Sequence, residues 1–315
     1  MRKSLILVVL LLAAGLLKAQ EPTATYMVAQ RDTCNLYMDY YAPDPVQARL
    51  EDGSLKPTIL YVFGGGFITG RRDDPSAVRW FKILTENGYG VVSVDYRLGL
   101  KGVKMKFDLA NLVKSADYTK KAVDIGVEDV FSSVRYLIDH QEEVGVDPYN
   151  LVISGSSAGA MISLSCELET CSPTERTAVL PEGFRFKGVM SFAGAIMSDS
   201  GIPKYAAAPA PQLLFHGTDD KIVNYDKMAF GRRGMYGSNS LVDKVYAKNG
   251  YTYCIYRYTG HTHDMAANMV PTWPIQKEFL ETNVIKGVAR TIDATVDDPD
   301  MPLWKGFSLG DLYKK

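Results

Sequence analysis

Gly155-Ser156-Ser157-Ala158-Gly159 spells G-x-S-x-G. It follows the apolar run Leu151–Ser154 and opens the helical stretch Ala158–Glu167. A serine on so sharp a strand-to-helix turn is exposed, and its neighbours must be small. Ser157 is the central residue, and the start of a helix favours negative charge developing beside it. The chemistry implied is nucleophilic attack on an acyl carbon. Ser156 is off-centre and is expected to pack or cap. Read blandly, the motif is a Ser/Gly-rich turn; its placement between a strand and a helix favours the functional reading.

Such a nucleophile needs an oxyanion site, a base and a carboxylate. Phe63-Gly64-Gly65-Gly66-Phe67 follows the apolar run Thr58–Val62. Its glycines let backbone N–H groups converge, and with the Ala158 N–H they form an oxyanion hole. His216-Gly217-Thr218-Asp219-Asp220 follows the run Gln212–Phe215. Either aspartate there can orient an imidazole or serve as an ordinary turn residue. His216 itself reads as a strand-end histidine bonded to backbone. Gly260-His261-Thr262-His263-Asp264 follows Tyr251–Tyr258, and one of its histidines is the natural general base. The order is Ser, Asp, His.

The elements that must position these groups alternate. Strands are expected at Thr33–Tyr41, Thr58–Phe63, Gly90–Asp95, Leu151–Ser154, Lys187–Phe192, Gln212–His216 and Tyr251–Tyr258. Helices are expected at Ala77–Asn87, Ala122–Val144, Ala158–Glu167, Leu241–Asn249 and Ala266–Val284, the last interrupted near Pro271 and Pro274. Strand–helix alternation predicts an α/β fold with a mostly parallel sheet and flanking helices. No repeat or low-complexity linker divides the chain. One catalytic domain is expected over residues 20–290, with an extended tail over 291–315 that wraps the body through Trp304, Phe307 and Leu312.

Composition narrows the class. The 315 residues are 46% hydrophobic and 23% charged, ordinary globular values. Net charge is -1, from 35 basic and 36 acidic residues, so no basic excess points to nucleic acid. Residues 1–19 carry Arg2 and Lys3, then a 13-residue apolar and small-residue run from Leu5 to Leu17, then Ala19. The run is short for a membrane span and suits a cleaved signal peptide; the alternative is a short uncleaved anchor. Cleavage leaves 32 basic and 36 acidic residues. The expected location is secreted or periplasmic, with no stable membrane association after cleavage.

Four cysteines remain: Cys34, Cys166, Cys171 and Cys254. Cys166 and Cys171 can bridge only if the helix ends between them, because on one unbroken helix they point to different sides. Cys34 and Cys254 sit in strand-like runs and are expected to be buried apolar residues. No spacing suits zinc, and neither metal nor cofactor is expected.

From Asp32 to Met265 the chain resembles the α/β-hydrolases of the carboxylesterase type. It is similar to hormone-sensitive-lipase-like esterases and to secreted bacterial acetylxylan and feruloyl esterases. The resemblance rests on Phe63–Phe67, Val94-Asp95-Tyr96-Arg97, Asp129 with Val134–Leu137, Gly145-Val146-Asp147-Pro148, the serine turn, His216–Asp220 and Gly260–His263. It implies that Gly65, Gly66 and Ala158 supply the oxyanion N–H groups and that Asp220 is the acid. Aligning Gly260 with the family's G-x-G-H pattern makes His263 the base; a shorter loop would make it His261. One position departs, since Phe63 stands where the family usually has a histidine. The implied substrate is a small ester or an esterified carbohydrate. Two rivals stay open: a serine peptidase of the prolyl-oligopeptidase type, and a non-catalytic binding protein on the same fold. Asp95, Arg97 and Asp129 are expected to form internal ion pairs that brace the loops.

Overall fold

The computed structural model describes residues 20–105 and 111–303. The expected leader over 1–19 and the expected contacts of Trp304, Phe307 and Leu312 lie outside them. In chain order the elements are β1 (Ala24–Gln30), β2 (Asn35–Tyr41), β3 (Thr58–Val62), α1 (Pro75–Glu86), β4 (Val91–Val94), α2 (Leu112–Asp139), α3 (Gln141–Val144), β5 (Leu151–Ser156), α4 (Ala158–Cys171), β6 (Gly188–Phe192), β7 (Ala195–Ser198), β8 (Gln212–Gly217), β9 (Lys227–Phe230), β10 (Arg233–Gly237), α5 (Ser238–Leu241), α6 (Ala247–Asn249), β11 (Tyr253–Tyr258), α7 (Trp273–Phe279) and β12 (Ile292–Val296).

Nine strands form one sheet in the order β1-β2-β4-β3-β5-β6-β8-β11-β12. β1 and β2 are antiparallel to their neighbours, and every pairing from β4 to β12 is parallel. The inner strands β4, β5, β6 and β8 are buried at every position. Helices cover both faces of such a sheet, so these strands are mostly apolar and do not alternate with polar residues along their length. The loops after β3, β5, β8 and β11 all leave the carboxyl edge of this parallel array. That edge is where open α/β sheets bind ligands.

α1 begins where Asp74 caps it: its carboxylate accepts from the Ser76 N–H at 2.9 Å, and Pro75 opens the helix. The helix buries Trp80, Phe81 and Leu84 against β3, where Tyr61 meets both rings. α2 is 28 residues long, starts ten residues before the expected helix, and breaks at His140 before α3. The expected ion pairs are present: Arg97 and Arg31 both reach the fully buried Asp129, and Asp95 pairs with Arg72.

Several expectations are corrected. β12 lies within the expected tail, yet it pairs with β11 as the last strand of the sheet. Its residues Ile292, Ala294 and Val296 turn inward in alternation while Asp293 and Thr295 face out. β1 shows a similar half-buried pattern at the other edge. A second sheet, β7-β10-β9, packs against α2 and α4 and was not expected from the sequence. α4 runs unbroken through Cys166 and Cys171, so they point apart and both thiols are free. Cys34 lies just before β2 and is exposed rather than buried.

Candidate active site

β5 carries the chain two residues further into the serine motif than its apolar run suggests, ending at Ser156. The turn is so tight that a Cβ on Gly155 would lie 2.3 Å from Gly159 backbone atoms, and one on Gly159 would lie 2.0 Å from the Val62 carbonyl. Ser157 takes the strain, at φ 52 and ψ −119. Such a backbone costs of order 1–3 kcal/mol and persists only where the surroundings enforce it. Ser156 points away, donating its hydroxyl to the Ala266 carbonyl at 2.6 Å. That bond ties the serine turn to the loop after β11.

The same loop delivers His263, at the start of a 3₁₀ turn over His263–Ala267. Its Nε2 lies 2.7 Å from Ser157 Oγ, and its Nδ1 lies 2.7 Å from Asp220 Oδ2. A carboxylate can only accept, so Nδ1 carries the proton and Nε2 is free to accept from the serine. Asp220 is itself held on every side. Its Oδ1 accepts from the N–H groups of Ile222 at 2.8 Å and Val223 at 3.1 Å. Burial alone would raise its carboxyl. The bonds from His216 and His263 outweigh that and hold it well below the usual carboxylate range.

His216 contributes more than the sequence suggests. It is completely buried, with Nε2 2.9 Å from the Val223 carbonyl and 3.3 Å from Asp220 Oδ2. Since a carbonyl cannot donate, the proton sits on Nε2 and faces the carboxylate too. His261 does not reach the serine. Its Nδ1 bonds Asp264 Oδ2, while Asp264 Oδ1 takes the N–H and hydroxyl of Thr262. His261 therefore braces the loop that carries His263. Asp219 is exposed, with its N–H donating to the His261 carbonyl.

The glycine run lies beside Ser157 in a cleft of about 330 Å³. Gly65 and Gly66 adopt φ 124 and φ 62. Among the described residues, the N–H groups of Gly65, Gly66 and Ala158 make no hydrogen bond. For Ala158 this follows from its place in the first turn of α4, where no carbonyl lies four residues back in the helix. Phe63, at the position where a histidine was expected, is fixed by packing and by its backbone. Its ring stacks on Tyr96 at 4.4 Å, and the Tyr96 hydroxyl donates to the Phe63 carbonyl at 3.0 Å. Among the described residues, no group of three or more His, Cys, Asp or Glu side chains is placed to hold a metal.

A nine-stranded, mostly parallel sheet, a strained serine at its carboxyl edge and an Asp–His pair from later loops define an α/β-hydrolase fold. Solved structures agree on the fold. Esterase Est2 of Thermogutta terrifontis with propionate bound superposes with a TM-score of 0.58 at 20% identity, covering 82% of this chain and 93% of its own. The BD-FAE family profile matches residues 38–196, and the chain belongs to that family. Ethyl acetate hydrolase of Pseudomonas putida is 24% identical over 172 residues, which is 52% of this chain and 46% of that protein. Neuroligin-2 of Mus musculus is 27% identical over 157 residues, 44% of this chain but 17% of its own length. The chain thus matches less than half of either relative.

Proposed function

We propose that the protein is an exported serine esterase acting on short-acyl esters, with acetyl or feruloyl esters of plant polysaccharides as the substrate class. The observation that carries the reading is the unbroken hydrogen-bond line Ser157–His263–Asp220, 2.7 Å at each step. Ser157 Oγ attacks the ester carbonyl carbon while His263 Nε2 takes its proton. The carbonyl oxygen becomes an oxyanion facing the N–H groups of Gly65, Gly66 and Ala158. Collapse breaks the bond to the alcohol oxygen, which leaves with the proton from Nε2. Water then attacks the acyl-serine by the same route and frees the acid and Ser157. Asp220 stays ionised throughout and steadies the imidazolium.

The names of relatives support the esterase class: an ethyl acetate hydrolase, and a para-nitrobenzyl esterase of Bacillus subtilis that is 26% identical over 44% of this chain. Export rests on the composition of residues 1–19, and the polysaccharide substrate rests on resemblance. A fluorophosphonate probe should label Ser157, and para-nitrophenyl acetate should be hydrolysed faster than the matching anilide. Absence of labelling would remove the enzyme reading, and faster anilide cleavage would favour a peptidase. Release of acetate or ferulate from decorated xylan oligosaccharides tests the substrate class.

A further inference from the structure

The cleft beside Ser157 extends from the glycine loop to the beginning of α1, and there it meets a phenol. Tyr61 lies in β3, whose backbone is closed on both sides by β4 and β5. The part of Tyr61 that lines the cleft is therefore its side chain. The ring packs edge-on against Trp80 and Phe81 of α1. Tyr61 is 2% exposed, and among the described residues its hydroxyl makes no hydrogen bond. The hydroxyl is not sealed in the core as those of Tyr41 and Tyr89 are, so it opens onto the cleft, where a ligand acceptor can take its hydrogen bond in place of water. Burial, with the Asp74 charge adding to it, pushes the hydroxyl well above its ordinary range. It therefore stays protonated and can donate.

Asp74 lines the same cleft. Its Oδ1 is committed to the helix cap, taking the N–H and hydroxyl of Ser76. Among the described residues its Oδ2 accepts no hydrogen bond, and its charge is close enough to act on the Tyr61 hydroxyl, so the cleft holds an acceptor and a donor together. A free carboxylate on a ligand would meet repulsion from Asp74. An alkyl end would leave the Tyr61 hydroxyl unpaired. A hydroxyl suits both, accepting from Tyr61 and donating to Asp74.

We infer that Tyr61 and Asp74 form a specificity subsite that selects esters carrying a hydroxyl group on the part lodged in this cleft. The inference deepens the esterase reading and rests on it for the identity of the reacting bond. It adds that the substrate is hydroxylated at a position the cleft can reach, phenolic or alcoholic.

The test uses two matched pairs of esters, one pair differing by a hydroxyl on the acyl group and the other by a hydroxyl on the alcohol. The wild type should favour the hydroxylated member of one pair in kcat/KM by ~10-fold, about the value of one well-placed hydrogen bond to a partly charged site. In Tyr61→Phe and in Asp74→Asn that ratio should collapse towards one. Asparagine is itself a good helix cap, so α1 keeps its start in the second variant. Equal rates within both pairs, or a preference that survives Tyr61→Phe, would overturn the inference. Non-hydrolysable amide analogues of the same pairs, titrated calorimetrically, read the subsite without turnover. If no ester is cleaved but the hydroxylated amide still binds ~10-fold tighter, the esterase reading fails and the subsite stands. Equal binding of the two amides overturns the subsite whatever the turnover.

Discussion

Ser156 and Ser157 are chain neighbours with opposite surroundings. Ser156 is buried and spends its hydroxyl on the Ala266 carbonyl, while Ser157 faces the cleft and His263. Ser157→Ala should abolish ester hydrolysis and probe labelling, with a loss of up to ~10⁶-fold in turnover. Ser156→Ala keeps the nucleophile but loses the tie to the His263 loop, so labelling should persist with a reduced kcat. A labelled Ser157→Ala enzyme would place the nucleophile elsewhere. Asp220 and Asp219 differ in the same manner. Asp220→Asn cannot stabilise the imidazolium and should reduce kcat far more than Asp219→Asn, whose side chain is exposed. Equal kcat values for the two variants would refute the assignment. Much of this site was legible in the residues, because a nucleophile turn demands small neighbours and a fixed order of partners. Which histidine reaches Ser157 was not legible from spacing alone. It is decided by Asp264, which holds His261 back, and by the turn that begins at His263.

Two loops cross where Asp220 and His263 meet, and one glycine permits the crossing. A Cβ on Gly217 would lie 2.3 Å from the His261 carbonyl oxygen and 2.4 Å from that of Thr262. These are backbone atoms, so a side chain there must push the histidine loop away from the end of β8. Gly217→Ala should lengthen the Asp220–His263 contact and lower kcat by more than tenfold, since a misplacement of ~1 Å can cost about 10²-fold. The folded state should survive, as read by circular dichroism, and KM should change less than kcat. An unchanged kcat would show that the loops can separate without cost. The same scale explains what was legible among the strands. Inner strands such as Thr58–Val62 and Gly188–Phe192 are largely apolar because nearly every position is buried. The edge strands Ala24–Gln30 and Ile292–Val296 mix polar and apolar residues, so they resemble loop sequence. β7, β9 and β10 are four or five residues long, too short for a period to show.

Across the whole molecule, stability depends on carboxyl groups outside the site as well as within it. Glu167, on α4, is completely buried, and burial pushes its carboxyl up to about 7 despite hydrogen bonds from the Ala210 N–H and the Cys171 thiol. Among the described residues its Oε2 has no hydrogen-bond partner. An acid raised in the folded state binds more protons folded than unfolded, so stability falls as pH rises between the unfolded value near 4.5 and the folded value near 7. Below that window Glu167 is protonated in both states and contributes nothing. Above it the penalty is complete, of the order of 3 kcal/mol from ~1.4 kcal/mol per unit. Asp220 has the opposite sign: its lowered carboxyl adds stability above the usual carboxylate range and withdraws it only under strong acid. The two effects are therefore separable by pH. Glu167→Gln keeps the shape of the protonated side chain and cannot ionise. Its Tm should match the wild type near pH 4.5 and exceed it increasingly up to pH 8. A difference in Tm that stays constant across that range would mean that Glu167 is not the group that titrates, and that another buried acid sets the pH profile of the fold.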